Sequence, residues 1–452
     1  MNSKYSDLLN TLIKAYYNDT FDKTLDNLIT CHEKSPQETF EIITSLCGVT
    51  VPFDNNYKYN LKKAITRYTA NKKIVEKLKS KCSDDCLTDE NGKFQCQICC
   101  PFDAIFYDNN EKITKINDSL CESCGKCIDA CKDGKYLDKV EILPIIDLLK
   151  NNKTVIACVA PAIIGQFGPT VTLDMLREAF IKIGFTDMIE VAFAADILTI
   201  KEAFEFNKHV NDPEHDLMIT SCCCPIWVGM LKKVYHDLVK DLSPSVSPMI
   251  AAARIIKNIN KDAKIVFIGP CIAKKAEAKE KDLIGDVDFV LTFEELNTIF
   301  KSLDIHPETL NGIPSKDYVS RGGRLYARTG GVSKAISDVI EEVYPKKFKF
   351  LKTAQVHGIK DCKKILQDAL EGKLDANFLE GMGCVGGCVG GPKALIPANQ
   401  GKVFVDNCAF DSAIKMPLHS DTTEKILESL GINSIDDFNN PQKGEILHRE
   451  FK

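Results

Sequence analysis

The most informative residues of this sequence are cysteines, and four of them follow the spacing of an iron–sulfur ligand motif. Cys121, Cys124, Cys127 and Cys131 are separated by two, two and three residues. Three thiolates at this spacing can hold one cubane [4Fe–4S] cluster, and the fourth can reach a neighbouring cluster. The motif therefore indicates electron transfer, with a zinc site as the main alternative.

A second group of cysteines lies upstream and is spaced less regularly. Cys96-x3-Cys100, followed by proline, resembles the end of a ferredoxin half-motif. This resemblance implies two [4Fe–4S] clusters that form an electron relay. Their ligands would be Cys82, Cys86, Cys96 and Cys131 for one cluster, and Cys100, Cys121, Cys124 and Cys127 for the other. The sequence departs from the pattern, since three residues separate Cys82 from Cys86 and nine separate Cys86 from Cys96. Cys99 is then either a spare thiol or a replacement for Cys96.

Three further segments carry cysteines in the second half of the chain. They are TSCCCPIW (220–227), GPCIAKKAEA (269–278) and LEGMGCVGGCVGGP (379–392). Cys384 and Cys388 lie in a glycine-rich loop with no second pair nearby, which argues against a zinc ribbon. Glycines let the backbone approach a bulky inorganic group closely. One cysteine from each of the other two segments would complete four thiolates, enough for a third cubane.

Together these segments resemble, in the same order, the three signature motifs of the [FeFe]-hydrogenases, the iron-only hydrogenase large-subunit family. The likeness covers roughly residues 80–400 and includes a two-cluster ferredoxin-like module. It implies an H-cluster, whose cubane would be held by Cys224, Cys271, Cys384 and Cys388. By the same resemblance Cys388 bridges to a diiron subcluster that carries carbonyl, cyanide and azadithiolate ligands.

The resemblance also implies a route for protons. Cys223, directly before a cubane ligand, matches the proton-transferring cysteine of the family. ADILTIKEAFEF (195–206) resembles its glutamate-bearing helix, on which Glu202 and Glu205 share one side. Ser247 resembles the serine that links the two glutamates. The alternatives are a solvated helix face for the carboxylates, and for Ser247 a helix N-cap before proline.

Several other residues are implied to line the diiron pocket. Lys274 matches the lysine that pairs with a cyanide ligand, and Met382 matches a pocket methionine. Ala160, Pro161 and Pro270 lie at strand ends in the matching segments. The alternatives are a surface lysine and a methionine that only packs.

The pocket motifs also depart from those of the best-known members. Gly269 stands in place of methionine and Ala162 in place of serine, and Cys222 is an extra cysteine. Ala327 and Arg328 stand before TGG (329–331), where those members have Gly-Ala after a phenylalanine. The metal ligands are kept, so the sequence predicts a divergent subgroup.

Length and composition agree with a large metalloprotein of the cytoplasm. The chain has 452 residues, 20 of them cysteine, and a net charge of −5. This charge gives no support to nucleic-acid binding. We find neither a secretion signal nor a membrane span, so we expect reduced cysteines that bind metal.

The elements that must position these residues divide into three predicted parts. Residues 1–78 are predicted to be a helical N-terminal region, and residues 79–145 a small α+β ferredoxin-like module. Residues 146–452 are predicted to be an α/β H-cluster domain with mostly parallel sheets flanked by helices. Its strands are expected in KTVIACVAP, DMIEVAFAAD, HDLMITS, AKIVFIGP and DVDFVLT. Since ligands bind at the carboxyl ends of such strands, the cysteine segments lie where an active site is expected.

The resemblance implies an enzyme that catalyses reversible hydrogen oxidation and proton reduction. Its partners would be ferredoxin or a similar electron carrier and the proteins that build the diiron site. Two alternatives are a sensor of hydrogen or redox state, and an iron–sulfur assembly factor without a diiron site. Retention of Cys223, Lys274 and Met382 argues against the assembly factor.

Overall fold

Four helices form the N-terminal region of the computed structural model, which describes residues 5–31, 34–69, 73–78, 82, 86, 88–315, 318–440 and 442–451. They are α1 (Ser6–Tyr17), α2 (Phe21–Cys31), α3 (Pro36–Leu46) and α4 (Tyr57–Thr66). Leu9, Leu12 and Ile13 recur at helical spacing in α1 and are fully buried. The predicted helical N-terminal region is thus confirmed.

These helices share a hydrophobic core with the α/β part of the chain. One continuous core contains Leu12 together with Phe180 and Leu296. The Ser302 hydroxyl donates a hydrogen bond to Asn10 Oδ1 at 3.0 Å. The N-terminal region therefore packs as part of the main body of the protein.

The cysteine-rich module is built from two short antiparallel sheets and two short helices, as an α+β module requires. Strand β1 (Val75–Lys77) pairs with β4 (Tyr136–Asp138), and β2 (Ile105–Asp108) pairs with β3 (Ile113–Ile116). The helices are α5 (Gln95–Ile98) and α6 (Lys126–Ala130). Because β1 lies before the boundary predicted at residue 79, the module also takes in residues from the end of the predicted N-terminal region.

Two parallel sheets form the centre of the α/β part. The first has the order β6–β5–β8–β9 and contains β5 (Val155–Val159), β6 (Asp187–Glu190), β8 (Lys264–Gly269) and β9 (Phe289–Thr292). The second has the order β10–β11–β7 and contains β7 (Met218–Ile219), β10 (Thr353–His357) and β11 (Phe378–Met382). All neighbouring strands in both sheets are parallel. The predicted parallel α/β fold is confirmed, and each of the five predicted runs contains one strand.

Helices cover both sheets and connect their strands. They are α7 (Ile142–Asn151), α8 (Leu173–Ile183), α9 (Ala192–His209), α10 (Pro225–Lys233), α11 (Pro248–Ile259), α12 (Ala273–Glu277), α13 (Phe293–Ser302), α14 (Arg321–Leu325), α15 (Gly331–Val343), α16 (Pro345–Phe348), α17 (Ile359–Leu370), α18 (Ala398–Asp411) and α19 (Asp421–Ser429). Within the described ranges, no helix is both long enough and apolar enough to cross a membrane.

A fully buried ion pair joins α12 to α13 beneath the cysteine loops. Lys275 pairs with Glu295, and its ammonium also donates to the Lys139 carbonyl oxygen at 2.7 Å. Both side chains are inaccessible to solvent. Glu295 also caps α13, since its carboxylate accepts a hydrogen bond from Thr292 N at 2.6 Å. The pair therefore fixes α12, the helix that follows Cys271.

We expect the Lys275→Met variant to be less stable than the wild type by about 3–5 kcal/mol, because it leaves a buried carboxylate without its cation. Chemical denaturation of the anaerobic apoprotein measures this loss. The double variant Lys275→Met/Glu295→Gln should recover much of the stability, since glutamine keeps the cap and carries no charge. A double variant no more stable than Lys275→Met would contradict this explanation.

Candidate metal centres

The loop after β7 carries three consecutive cysteines and is held firmly by its neighbours. Cys224 is the N-cap residue of α10. Trp227 in the first turn is fully buried, and its indole nitrogen donates to the Thr220 carbonyl oxygen at 2.9 Å. This bond ties the start of the loop to the helix, so that Cys223 and Cys224 lie in a fixed segment between them.

Four thiols meet where β7, β8 and β11 end, and they are those predicted to hold a cubane: Cys224, Cys271, Cys384 and Cys388. Burial, together with nearby thiols of the same group, raises the pKa of Cys271 to about 11 and that of Cys388 to about 12, and the pKa of Cys384 is raised for the same reasons. The Gly383 amide donates to Cys224 Sγ at 3.3 Å. Nowhere in the described chain are three or more His, Cys, Asp or Glu side chains arranged to hold a single metal ion. The donors here are four thiols, one for each iron of a cubane.

The glycines of this loop allow a close approach that side chains would prevent. Gly387 has φ +92°, and a Cβ there would lie 2.7 Å from Thr329 N and 2.8 Å from Met382 Sδ. A Cβ on Gly391 would lie 2.7 Å from the Pro270 carbonyl oxygen. The loop thus packs directly against the other pocket segments, and the site fits the group that the motifs imply.

Lys274 is buried within this site. Only 7% of the residue is exposed, and its ammonium pairs with Glu277 at 2.6 Å. The same ammonium lies near the thiols of Cys223, Cys271 and Cys388; burial raises the pKa of each thiol, and the positive charge of Lys274 opposes part of that rise. The alternative of a surface lysine is therefore excluded by the structure.

The remaining predicted pocket residues also lie at strand ends. Met382 is the last residue of β11 and is 1% exposed, and Cys223 packs against the hydrophobic cluster that contains it. Ala160 and Pro161 follow β5 and are buried. The Pro270 carbonyl oxygen accepts a hydrogen bond from Lys393 N at 3.0 Å. Their contact with a cofactor stays a prediction.

The replacement of methionine by Gly269 has a steric reason within the chain. A Cβ on Gly269 would lie 2.7 Å from the ring of Phe267 and 3.5 Å from Ala160 Cβ. Phe267 is itself 3% exposed. The aromatic ring therefore fills the space that a side chain at position 269 would need.

The two predicted glutamates lie on α9 beside the cysteine loop. Glu202 is 3% exposed and accepts a hydrogen bond from the Thr220 hydroxyl. Burial, and after it the nearby Glu205 carboxylate, raise the pKa of Glu202 to about 8. Glu205 pairs with Lys201 and accepts a hydrogen bond from the Ser243 hydroxyl at 2.6 Å. A solvated helix face is therefore excluded for Glu202, whereas Glu205 is partly exposed and is paired with Lys201.

The predicted link through Ser247 is wrong, and Ser243 makes the contact with Glu205. Ser247 is the N-cap residue of α11, and its buried hydroxyl makes no hydrogen bond within the described chain. Ser243 is placed beside β7 because its amide donates to the Ile219 carbonyl oxygen at 2.8 Å. In SPSVS (243–247) the spacing of the serines alone could not distinguish between them.

Tyr326 is a site residue that the sequence analysis did not single out. It is 6% exposed, and its hydroxyl lies 3.0 Å from the Thr199 hydroxyl. The pKa of Tyr326 is raised by burial and then by Glu202 and Cys223, so it lies within electrostatic reach of both. The sequence feature that could have identified Tyr326 is its place directly before Ala327, where the best-known members of the family have phenylalanine.

The module brings its cysteines together in two groups that match the predicted clusters. The first group comprises Cys82, Cys86, Cys96 and Cys131. Burial raises the pKa values of Cys86 and Cys96, and the other thiols of this group also contribute to the rise. Burial raises the pKa of Cys124 to about 12, and thiols of the second group, Cys100, Cys121, Cys124 and Cys127, contribute. Residues 79–81, 83–85 and 87 lie outside the described chain. The assignment of ligands remains a prediction.

Cys99 lies between the two groups, and its thiol donates to the Cys96 carbonyl oxygen at 3.4 Å. Backbone amides donate to sulfur in both groups, from Ala104 N to Cys100 Sγ at 3.2 Å and from Lys135 N to Cys131 Sγ at 3.3 Å. Such bonds favour thiolates, as iron ligation requires.

The second group of module cysteines lies against the four thiols of the main site. Cys100, Cys121 and Cys124 pack against the same hydrophobic cluster as Cys224 and Cys271. Ile272, next to Cys271, approaches Gly125 so closely that a Cβ there would lie 2.6 Å from its Cδ1 atom. The arrangement is suited to electron transfer between neighbouring clusters.

The fold and these motifs define the class of protein: the chain belongs to the iron-only hydrogenase large-subunit family, whose C-terminal domain model matches residues 153–392. A curated relative is the NADP-reducing hydrogenase subunit HndD of Solidesulfovibrio fructosivorans. It is 27% identical over 329 residues, which are 61% of this chain and 56% of that protein. The chain thus spans little more than half the length of that relative.

The chain is also similar to an iron–sulfur assembly component and to a solved hydrogenase structure. Cytosolic iron-sulfur assembly component 3 of Mus musculus is 21% identical over 357 residues, 64% of this chain and 75% of that protein. A solved structure of the [FeFe]-hydrogenase HydA1 from Chlamydomonas reinhardtii superimposes with a TM-score of 0.58 at 22% identity. It covers 68% of this chain and 98% of that one. The structural similarity shows that the fold is shared.

Proposed function

We propose that this chain is an [FeFe]-hydrogenase that interconverts dihydrogen with two protons and two electrons. The observation that carries the proposal is the position of Cys223. Its thiol is near Cys388 and Lys274 and also near buried Tyr326, which in turn is near buried Glu202. A titratable thiol beside four potential metal ligands, with buried carboxylates on the neighbouring helix, suits proton transfer to a metal centre.

The cofactor would be held by the four thiols Cys224, Cys271, Cys384 and Cys388. When bound, this H-cluster supplies the redox chemistry of hydrogen. The buried ammonium of Lys274 supplies a fixed positive charge and hydrogen bonds for an anionic ligand such as cyanide. Met382 and Ala160 would exclude water from the pocket wall.

The protein's own part in the reaction is to move protons between the pocket and solvent. Cys223 would exchange a proton at Sγ, and Glu202 would exchange one at its carboxylate. A carboxyl whose pKa is about 8 can both accept and release a proton near neutral pH. Ser243 and Glu205 would continue the route, since the serine hydroxyl already donates to the carboxylate at 2.6 Å.

Electrons would pass through the two module clusters. The cluster held by the group around Cys100 would lie next to the main site, because these thiols pack against it. The cluster held by the group around Cys86 would lie farther along the electron-transfer chain. The external partner would be ferredoxin or a similar small electron carrier. Dedicated maturation proteins would supply the diiron unit, in a reducing cytoplasm where these thiols stay reduced.

An iron–sulfur assembly role is the second candidate, favoured by the similarity to the mouse assembly component over 75% of its length. Such a protein would need the cubane thiols and no proton route. The burial of Lys274 and Glu202 costs free energy that this role would not require. We therefore rank it second.

The test is to load the purified protein anaerobically with iron–sulfur clusters and a synthetic diiron cofactor. Infrared spectra should show protein-bound carbonyl and cyanide, and hydrogen should evolve from a reduced viologen. The Cys388→Ser variant is the control that should lose both signals. A wild type that binds cubanes and shows neither signal would contradict the proposal and favour the assembly role.

A further inference from the structure

Four polar side chains form a closed ring at the outer end of the carboxylate chain. Lys201 pairs with Glu205, and its ammonium donates to Ser245 Oγ at 2.8 Å. The hydroxyls of Ser245 and Ser243 lie 3.0 Å apart. The Ser243 hydroxyl in turn lies 2.6 Å from Glu205 Oε2. We call this set the outer ring: Lys201, Glu205, Ser243 and Ser245.

The number of available protons fixes the direction of every bond in the outer ring. A serine hydroxyl has one proton to donate, and an ionised carboxylate has none. The Ser243 proton must therefore point to Glu205, so the contact between the two hydroxyls needs the Ser245 proton. The ammonium of Lys201 donates to Ser245 and leaves that hydroxyl free to donate onward. All bonds in the ring thus run from Lys201 towards Glu205.

The outer ring lies where the protein meets solvent. Lys201 and Ser245 are 5% and 0% exposed, whereas 16% of the Glu205 side chain is exposed. Lys201, Glu205 and Ser243 line a cleft of about 1190 Å³ between α9, the 239–244 segment and C-terminal residues from 438–440 and 442–451. Charged and titratable groups around Glu205 include Glu202 on the same helix, Cys222 on the cysteine loop and, around the cleft, Lys208, His209, Lys240, Asp241, Glu445, His448 and Glu450.

We propose that Lys201 is a positioning residue of the proton route, whose buried ammonium keeps Glu205 anionic and orients both serine hydroxyls towards it. This inference rests on the proposed function, because it assigns a task to the outer end of that route. Neither family motif nor spacing singled out this lysine. The geometry explains why a cation is buried there: without it, a shielded carboxylate next to Glu202 would take up a proton.

The first test needs no cofactor. Infrared titration of the apoprotein follows the Glu205 carboxyl band, which is identified by its loss in Glu205→Gln. In Lys201→Met the midpoint of this band should move to higher pH by at least one unit, a tenfold change in proton affinity.

Lys208→Met is the matched control, because it removes the same charge from the same helix and the same cleft. Lys208 contacts Asn439 and takes no part in the outer ring. The titration midpoint of Glu205 in Lys208→Met should equal the midpoint in the wild type. An unchanged midpoint in Lys201→Met, or an equal shift in Lys208→Met, would overturn the proposal.

The second test uses variants that disturb the fold less. Lys201→Arg keeps the cation and should keep Glu205 ionised. Ser245→Ala keeps the ion pair but removes the hydroxyl that directs Ser243, so Glu205 should stay ionised while hydrogen evolution by the loaded enzyme falls about tenfold. Full activity in Ser245→Ala would show that the proposed orientation of the serine hydroxyls does not matter for turnover. If the loaded wild type has no hydrogenase activity, the proposed function is contradicted. The infrared titration would still show whether Lys201 controls the charge of Glu205.

Discussion

Replacing Cys223 with alanine is expected to lower hydrogen evolution by the loaded protein about a thousandfold. The reason is that positioned proton donors contribute roughly 10²–10⁴-fold to a reaction rate. Alanine removes the thiol without touching the four cubane thiols or Lys274. The carbonyl and cyanide bands should therefore persist while turnover is lost. Hydrogen evolution and infrared spectra of the same sample measure the two effects together.

The neighbouring Cys222 provides a matched control. This thiol is also buried and donates to the Ser243 carbonyl oxygen at 2.9 Å, a bond that serine can replace. We expect Cys222→Ser to keep at least half of the wild-type rate. If Cys222→Ser lost as much activity as Cys223→Ala, the thiol at 223 would have no special role.

Replacing Glu202 with glutamine is expected to lower turnover by about 10²-fold or more and to change how stability depends on pH. The folded-state pKa of Glu202 is raised to about 8, first by burial and then by Glu205. An unfolded glutamate titrates near 4.3. Between these values the folded wild type holds a proton that the unfolded chain has released. Wild-type stability therefore falls as pH rises through this window, by up to about 1.4 kcal/mol per pH unit.

Glutamine does not titrate, so Glu202→Gln escapes this loss. We expect its stability relative to the wild type to increase from pH 5 to pH 8 and to level off above pH 8. Denaturation midpoints of both anaerobic apoproteins at these pH values provide the measurement. Parallel pH profiles for the two proteins would contradict the assigned titration.

The cysteine motifs predicted from the sequence which thiols lie together in the fold, because ligation demands residue type and spacing together. The five predicted strands were also recognisable, since each is a short apolar run. The strands β10 and β11 were missed for different reasons. Thr353 at the start of β10 is exposed, and β11 contains the buried Glu380, which breaks its apolar pattern. Glu380 is stabilised by Ser333 and by the Gly330 amide, partners about 50 residues away that no local pattern reveals.

The residues of the proposed proton route show that local sequence does not reveal partners from distant segments. Glu202 and Glu205 could be found because the helix that carries them has a motif. Ser243 could not be chosen over Ser247, because the choice depends on a hydrogen bond to Ile219 in another element. The sequence does not distinguish Lys201 from a solvent-facing lysine, because its buried partner Ser245 comes from another segment of the chain.

The core shared by the N-terminal helices and the α/β part has a consequence for biosynthesis. Asn10 finds its partner Ser302 only after a further 292 residues have been made. At roughly 5–20 residues per second, that wait is about 15 to 60 s on the ribosome. During this time the cysteine-rich module has already been made, while the part of α1 that packs against α13 is still uncovered. Cluster insertion into the module can therefore precede closure of the main body, and the nascent chain needs protection for that interval.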